Sequence, residues 1–216
     1  SNESGQILYS YKYDDNGNRR EKWDNRSNKL LQKYEYDQKN RITKIIVPTD
    51  TLDFQYDPND YRIEKDVNGQ KSKYLLEGEH FEAIYDSDDK IKAKFLRGVV
   101  VDEIVNGYFY DDLGTKRNVT FQHDYLQSII GLTDHTGYII ETNKYGPFGN
   151  EYNHFGTSNN TFKYTGREFD NDTSFYYYRA RYYDPEVGRF LSEDPLGFEA
   201  GINFYTYVSN NPVNFN

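Results

Sequence analysis

The sequence predicts an all-β fold assembled from antiparallel β-hairpins, and three observations point to it. Aromatics make up 18% of the residues while the apolar fraction is only 36%, so tyrosine and phenylalanine must supply much of the buried area, as suits a half-buried sheet surface. Apolar or aromatic residues alternate with polar ones ahead of recurrent Tyr-Asp pairs, the period of a strand with one buried face. Each pair leads into Asp, Asn or Gly and then a basic residue, which is turn chemistry.

The elements follow in chain order. Ile7, Tyr9, Tyr11 and Tyr13 alternate up to Tyr13-Asp14, which leads to Asn16-Gly17-Asn18-Arg19. Tyr34 and Tyr36 precede Asp37 and Asn40-Arg41; Leu52, Phe54 and Tyr56 precede Asp57, Pro58-Asn59 and Arg62. Degenerate copies stand at Tyr85-Asp86 with Lys90, and at Tyr110-Asp111 with Gly114 and Arg117. Return strands are expected from Arg41 to Val47 and from Tyr61 to Lys65. One hairpin is barely stable alone, but stacking them extends one sheet and leaves edges only at its ends.

From 98 to 152 the pattern changes. Gly98 to Val105 is the most apolar strand candidate, and Thr133 to Gly137 reads as a turn between strands Ile129–Leu132 and Tyr138–Thr142. Lys144 to Gly149 is a sharp turn, Asn150 to Thr161 a polar, mobile loop, and Asn203 to Val208 a short helix or strand that periodicity leaves open. Trp23 is expected to pin a hairpin by cross-strand contact.

The formal charge of −9 argues against a nucleic acid partner or an anionic membrane surface. Without cysteine there is neither a disulfide nor a thiolate metal site, and the redox compartment stays open. No run of about 18 apolar residues exists to span a bilayer. Ser1 to Gly5 lacks the features of a secretion signal and suggests a piece cut from a longer protein. His80, His123, His135 and His154 lack metal-ligand spacing, and Asp14 to Asn18 lacks the glycine and glutamate of a calcium loop. No cofactor or metal is expected. Sequons at Asn25, Asn118, Asn159 and Asn171 are what chance gives in an asparagine-rich chain.

The run Phe175 to Gly197 holds six aromatics and two arginines by Tyr183, then Asp184-Pro185, Gly188-Arg-Phe190 and Asp194-Pro195. With the Tyr-Asp hairpins, Gln122 to Gly137, Tyr145 to Gly149, Tyr164 to Glu168 and Tyr205 to Asn214, it resembles the Rhs/YD-repeat family over nearly the whole chain. The stretch Tyr164 to Asn214 looks like the Rhs-associated core. The division expected is 1–121 for hairpin repeats and 122–216 for the core.

The resemblance implies a ribbon or partial β-shell, capped by an inward-curling core segment with little helix. It implies a shell fragment of a bacterial polymorphic toxin, secreted or surface-delivered, that encloses a C-terminal toxin domain of the same polypeptide. That domain and its immunity protein are the expected partners. In many members the core is also a self-cleaving aspartyl protease that cuts beyond a downstream Asp-Pro-x-Gly. This sequence stops at Asn214-Phe-Asn216, before such a site, and has too few repeats to close a cage.

An aspartyl protease needs two carboxylates close enough to share a proton. By the family pattern Asp194 is the first candidate, with Arg181 as the arginine implicated in cleavage. Asp184 is the simplest second carboxylate, and Arg189 is a candidate to orient either one. The alternative is structural: Asp-Pro is also an ordinary turn dipeptide, and Arg179, Arg181 and Arg189 can hold carboxylates and rings in packing. The residues expected in the core are Tyr164, Tyr176, Tyr177, Tyr178, Tyr182, Tyr183, Phe190 and Arg189. A third reading is glycan or receptor binding, as in the adhesion of eukaryotic teneurins, which requires aromatics clustered in solvent.

Overall fold

The computed structural model describes residues 7–100, 102–195, 197 and 203–212. Fourteen strands form one antiparallel sheet in strict chain order, each paired with the next. They are β1 (Tyr9–Tyr13), β2 (Arg19–Asp24), β3 (Lys29–Tyr36), β4 (Ile42–Ile46), β5 (Thr51–Tyr56), β6 (Arg62–Val67) and β7 (Gln70–Glu77). There follow β8 (His80–Tyr85), β9 (Ile91–Arg97), β10 (Ile104–Tyr110), β11 (Lys116–His123), β12 (Ile129–Asp134), β13 (Ile139–Tyr145) and β14 (Glu151–Gly156). A second, four-stranded antiparallel sheet holds β15 (Glu168–Asp170), β16 (Phe175–Tyr178), β17 (Arg181–Asp184) and β18 (Arg189–Phe190). Among the described residues there is no α-helix, and the fold is all-β as the sequence predicts.

One aspartate organises each repeat turn. Asp37 Oδ1 accepts from the amides of Lys39 and Arg41 at 2.9 and 3.0 Å, while the Asp37 amide donates to Arg41 O at 3.0 Å and Asn40 N donates to Asp37 O at 3.1 Å. The same pattern recurs at Asp14, Asp57, Asp86, Asp111, Asp124 and Asp134. Two amides that would otherwise lack partners are satisfied by one side chain. The third residue after the aspartate takes positive φ, which glycine or Asn and Asp tolerate: Asn40 at 59° and Gly114 at 80°.

The tyrosine does a different job. A register shift falls immediately before Tyr36, Tyr56 and Tyr145, a bulge that re-aims the ring. Each hydroxyl then donates to the first residue of an earlier return strand: Tyr36 to Arg19 O at 2.8 Å, Tyr56 to Ile42 O and Tyr145 to Ile129 O at 2.7 Å. Aspartate closes one hairpin and tyrosine stitches it to its predecessor. Charged pairs reinforce the stacking, as Lys39 Nζ and Arg41 Nη1 both reach Asp60 Oδ1 at 2.7 Å.

The small sheet packs on the inner face of the large one. Along β16, Phe175 and Tyr177 face the large sheet and join Tyr34, Phe54, Tyr74, Phe81 and Phe95 in one core. Tyr176, Tyr183 and Phe190 face the opposite way and pack with Tyr164 and Tyr207. The period of two therefore puts both faces of the small sheet out of water. The turn after β13 reaches over this second face, where Tyr164, Tyr176 and Tyr183 hydroxyls donate to the carbonyls of Pro147, Gly149 and Phe148. Gly149 is obligatory there: its φ is +85° and a Cβ would stand 2.6 Å from the Tyr164 ring.

Several expectations are corrected. The apolar stretch from Gly98 is a loop, closed by Gly98 N donating to Glu103 O at 3.1 Å; Val99 and Val100 are exposed, and β10 starts only at Ile104. Residues 151–156 are an edge strand paired to β13 in place of a mobile loop, because Glu151 to Gly156 find ladder partners in register. The stretch 203–208 is mostly turn with a single bridge from Thr206 to Arg189, and Val208 opens a one-turn 3-10 helix that runs to Asn210. Arg189 is exposed, since Phe190 beside it takes the inward position. Tyr178 is half-buried, and the other expected core tyrosines are buried. The large sheet runs unbroken past residue 121 to Gly156. Val101, the first six residues, 196, 198–202 and Val213 to Asn216 lie outside the described residues.

Candidate functional site

Among the arginine–carboxylate pairs that join the small sheet to its surroundings, three start from β15 and β17, and strand alternation decides which way each one points. Arg181 and Tyr183 share one face of β17, while Tyr182 and Asp184 share the other. On the first face, Arg181 Nη2 pairs with Asp194 Oδ2 at 2.5 Å. Its Nη1 donates to Phe204 O at 3.0 Å and its guanidinium lies 3.7 Å from the Phe190 ring centre. Asp194 opens a tight turn in which Gly197 N donates to Asp194 O at 2.9 Å, and its own amide donates to Phe204 O at 3.1 Å. Burial pulls the Arg181 pKa below its ordinary value, and the charge of Asp194 and its hydrogen bond restore part of that.

On the other face, Asp184 is committed elsewhere. Its Oδ2 pairs with Arg19 Nη1 of β2 at 2.6 Å, with both side chains almost fully buried, and its Oδ1 accepts from Glu186 N at 2.9 Å. Desolvation works against the Arg19 charge, and Asp184 more than restores it, so the Arg19 pKa rises. The structure thus brings Arg181 to Asp194 and Arg19 to Asp184. It does not build the Asp184 and Asp194 pair that the sequence suggested, because the two answer to different arginines on opposite faces of one strand. The exposed Arg189 is not placed by either pair.

The third pair was not singled out from the sequence as part of any site. Arg62, fully buried at the start of β6, contacts Glu168 Oε2 through Nη2 and donates from Nη1 to Tyr182 Oη at 2.8 Å. Its guanidinium lies 4.3 Å from the Tyr177 ring centre and 4.7 Å from that of Tyr74. Tyr177 Oη accepts from the Arg62 amide at 2.9 Å, and Tyr74 Oη donates to Glu168 Oε1 at 3.1 Å. The signal was present in the repeat: Arg19 and Arg62 each stand five residues after the turn aspartate, where the return strand begins facing inward. A basic residue after a turn reads as solvated until the second sheet is known.

No group of three His, Cys, Asp or Glu side chains suited to a metal ion occurs among the described residues. No described helix is long and apolar enough to cross a membrane.

Comparison with known proteins converges on this architecture. No family model matches. The chain is 28% identical, over 94% of its length, to the tRNA nuclease WapA of Bacillus subtilis strain 168, and 39% identical over 44% of its length to toxin subunit YenC2 of Yersinia entomophaga. The crystal structure of TcdB2-TccC3 superposes over 95% of the chain with a TM-score of 0.70 at 19% identity. The chain carries an Rhs/YD-repeat-like core. This core spans 9% of the WapA relative, 10% of YenC2 and 13% of the matched TcdB2-TccC3 chain, so it corresponds to a small part of each. The solved structure shares the fold.

Proposed function

We propose that this Rhs-like core closes one end of a shell around a toxin domain carried by the same polypeptide, in a bacterial protein that is secreted or displayed at the surface. The observation that carries the reading is the small sheet, buried on both faces and pinned to the large one by Arg62 with Glu168 and Arg19 with Asp184. A segment ordered in this way makes a rigid plug at the end of a hairpin ribbon. The tRNA nuclease activity named for the WapA relative falls to other parts of that protein in this reading, since a chain of charge −9 lacks the electrostatic footprint for RNA. An immunity protein would meet the released toxin and not this core.

The test is limited proteolysis of the intact parent protein. The reading requires the segment downstream of Asn216 to resist protease until the shell is opened by denaturant. Digestion of that segment at the rate of a free peptide would overturn it.

A second reading, self-cleavage, is supported by one contact. Arg181 holds the largely buried Asp194 carboxylate within a hydrogen-bonded turn, the kind of fixed acid that amide hydrolysis uses once a second carboxylate approaches. That partner has to be a group other than Asp184. The glycan-binding reading gains nothing from the core tyrosines, which are packed inside; its support is the exposed Tyr125 and Tyr152, which line one surface groove.

A further inference from the structure

A cleft lies where the loop after β9 meets the start of the small sheet, lined among others by His80, Arg97, Asp102, Arg167 and Arg179. Three guanidiniums converge on it, and their partners are unequal. Arg167 Nη2 pairs with Asp102 Oδ2 at 2.7 Å, and Arg179 Nη2 with Asp102 Oδ1 at 2.5 Å. Arg179 also meets Glu79 at 3.0 Å, where the Glu79 side chain is 47% exposed. Arg97 has only a carbonyl: Nη2 donates to Phe81 O at 2.8 Å, and its guanidinium lies 5.2 Å from the Phe162 ring centre. No carboxylate oxygen lies within 4.0 Å of Arg97 among the described residues.

Two donors in this cluster are orphaned. The Nε atoms of Arg97 and Arg167 are both buried without a hydrogen-bond partner and beyond the reach of water in the cleft, a state that costs about 1–3 kcal/mol per group or more where the group is charged. Glu168 also lines the cleft but is committed to Arg62 and Tyr74. Burial pulls the Arg97 pKa down to about 10, with Arg179 and Arg167 adding repulsion against the help of Asp102 and Glu82. Burial likewise lowers Arg167, and lowers His80 so that it adds no positive charge at neutral pH. The geometry is also fixed: Gly166, at φ +66°, lets the chain pass where a Cβ would stand 2.8 Å from Asp102 O.

We propose that this cleft binds a single carboxylate group, which accepts hydrogen bonds from Arg97 and Arg167. A guanidinium fork matches a planar carboxylate. The cleft is small, which suits one small oxyanion or the end of an acidic side chain. Binding here would tie the loop carrying Asp102 more firmly to the core segment that carries Arg167 and Arg179.

The test is an NMR titration of arginine Nε–Hε signals in the whole ¹⁵N-labelled chain with sodium formate, against sodium chloride at matched ionic strength. The Arg97 and Arg167 signals, assigned with Arg97→Lys and Arg167→Lys, are expected to shift and saturate with a midpoint of about 1–10 mM, the range of one small-ion site. Arg97→Gln should abolish the saturation. If that variant does not fold, the wild-type titration decides alone. A second arm uses N-acetyl-glutamate amide: saturation there points to an acidic side chain as the natural occupant, and saturation with formate only to a free anion. The proposal is overturned if the signals do not saturate up to about 100 mM, a range where only screening acts, if chloride reproduces the shift, or if Arg97→Gln leaves it intact.

Discussion

Arg62 and Glu168, 106 residues apart in sequence, meet in the dry space between the two sheets, with Tyr74, Tyr177 and Tyr182 closing around them. An ion pair in this position is a poor source of net stability against a well-packed apolar alternative, but each half is costly to leave alone. Both partners are therefore tied to the docking of the small sheet.

A double-mutant cycle checks this. Arg62→Met or Glu168→Gln alone should each cost about 3–5 kcal/mol in urea unfolding, and the double variant much less than their sum. Additive losses would show that the two side chains act independently.

The two aspartates should separate by function. Asp184→Asn leaves the buried Arg19 uncompensated and is expected to cost about 3–5 kcal/mol. Asp194→Asn, in a pair whose side chains are only 13% and 14% exposed but where the new amide oxygen can still accept from Arg181, should cost about 1–3 kcal/mol, while abolishing any cut in a chain extended through its native downstream residues, as read by mass spectrometry. Cleavage that survives Asp194→Asn would remove Asp194 from the chemistry.

Phe190 packs against Tyr178, Tyr183 and Tyr207 and under the Arg181 guanidinium. Phe190→Ala is expected to cost about 3–5 kcal/mol by denaturant titration. A loss below about 1 kcal/mol would contradict its place in the core.

Much of this was legible in the sequence, and the misses have physical causes. The hairpins could be read because each carries its own turn chemistry within a few residues. Asp124 and Asp134 head the same turn without a preceding tyrosine, so the aspartate is the local determinant and the tyrosine the link between units. The loop at Val99 and Val100 reads as a strand because apolarity alone cannot show that nothing covers a residue. The edge strand from Glu151 reads as a loop because its partner, β13, and not its own polar composition, defines it. The pairing of Asp184 with Arg19 depends on a contact across 165 residues that no local pattern announces.

Acid should expose the repeat turns. Burial raises the Asp37 pKa, but the hydrogen bond from Arg41 and the amides of Arg41 and Lys39 outweigh it, so the folded value lies below the ordinary one. Asp86, Asp111 and Asp134 are lowered in the same direction, chiefly by hydrogen bonds at their turns. A depressed carboxylate contributes stability that is complete above its unfolded pKa of about 3.9 and is lost as pH falls through the folded value. Urea unfolding should therefore be nearly flat from about pH 7 to 5 and weaken below about pH 4, with a smaller acid loss in Asp37→Asn. An unchanged acid dependence in that variant would exclude the turn aspartate as a contributor.

Hydrogen exchange tests the docking of the small sheet most directly. If β16 and β17 are sealed between the large sheet and the turn carrying Gly149, the amides of Phe175 to Tyr178 and Arg181 to Asp184 that bond in the ladder should exchange as slowly as those of Tyr34 and Ile45, through global unfolding. Exchange about 100-fold faster in β16 and β17 than in β3 and β4 would mean that the cap opens on its own, and the account of a plugged shell would not stand.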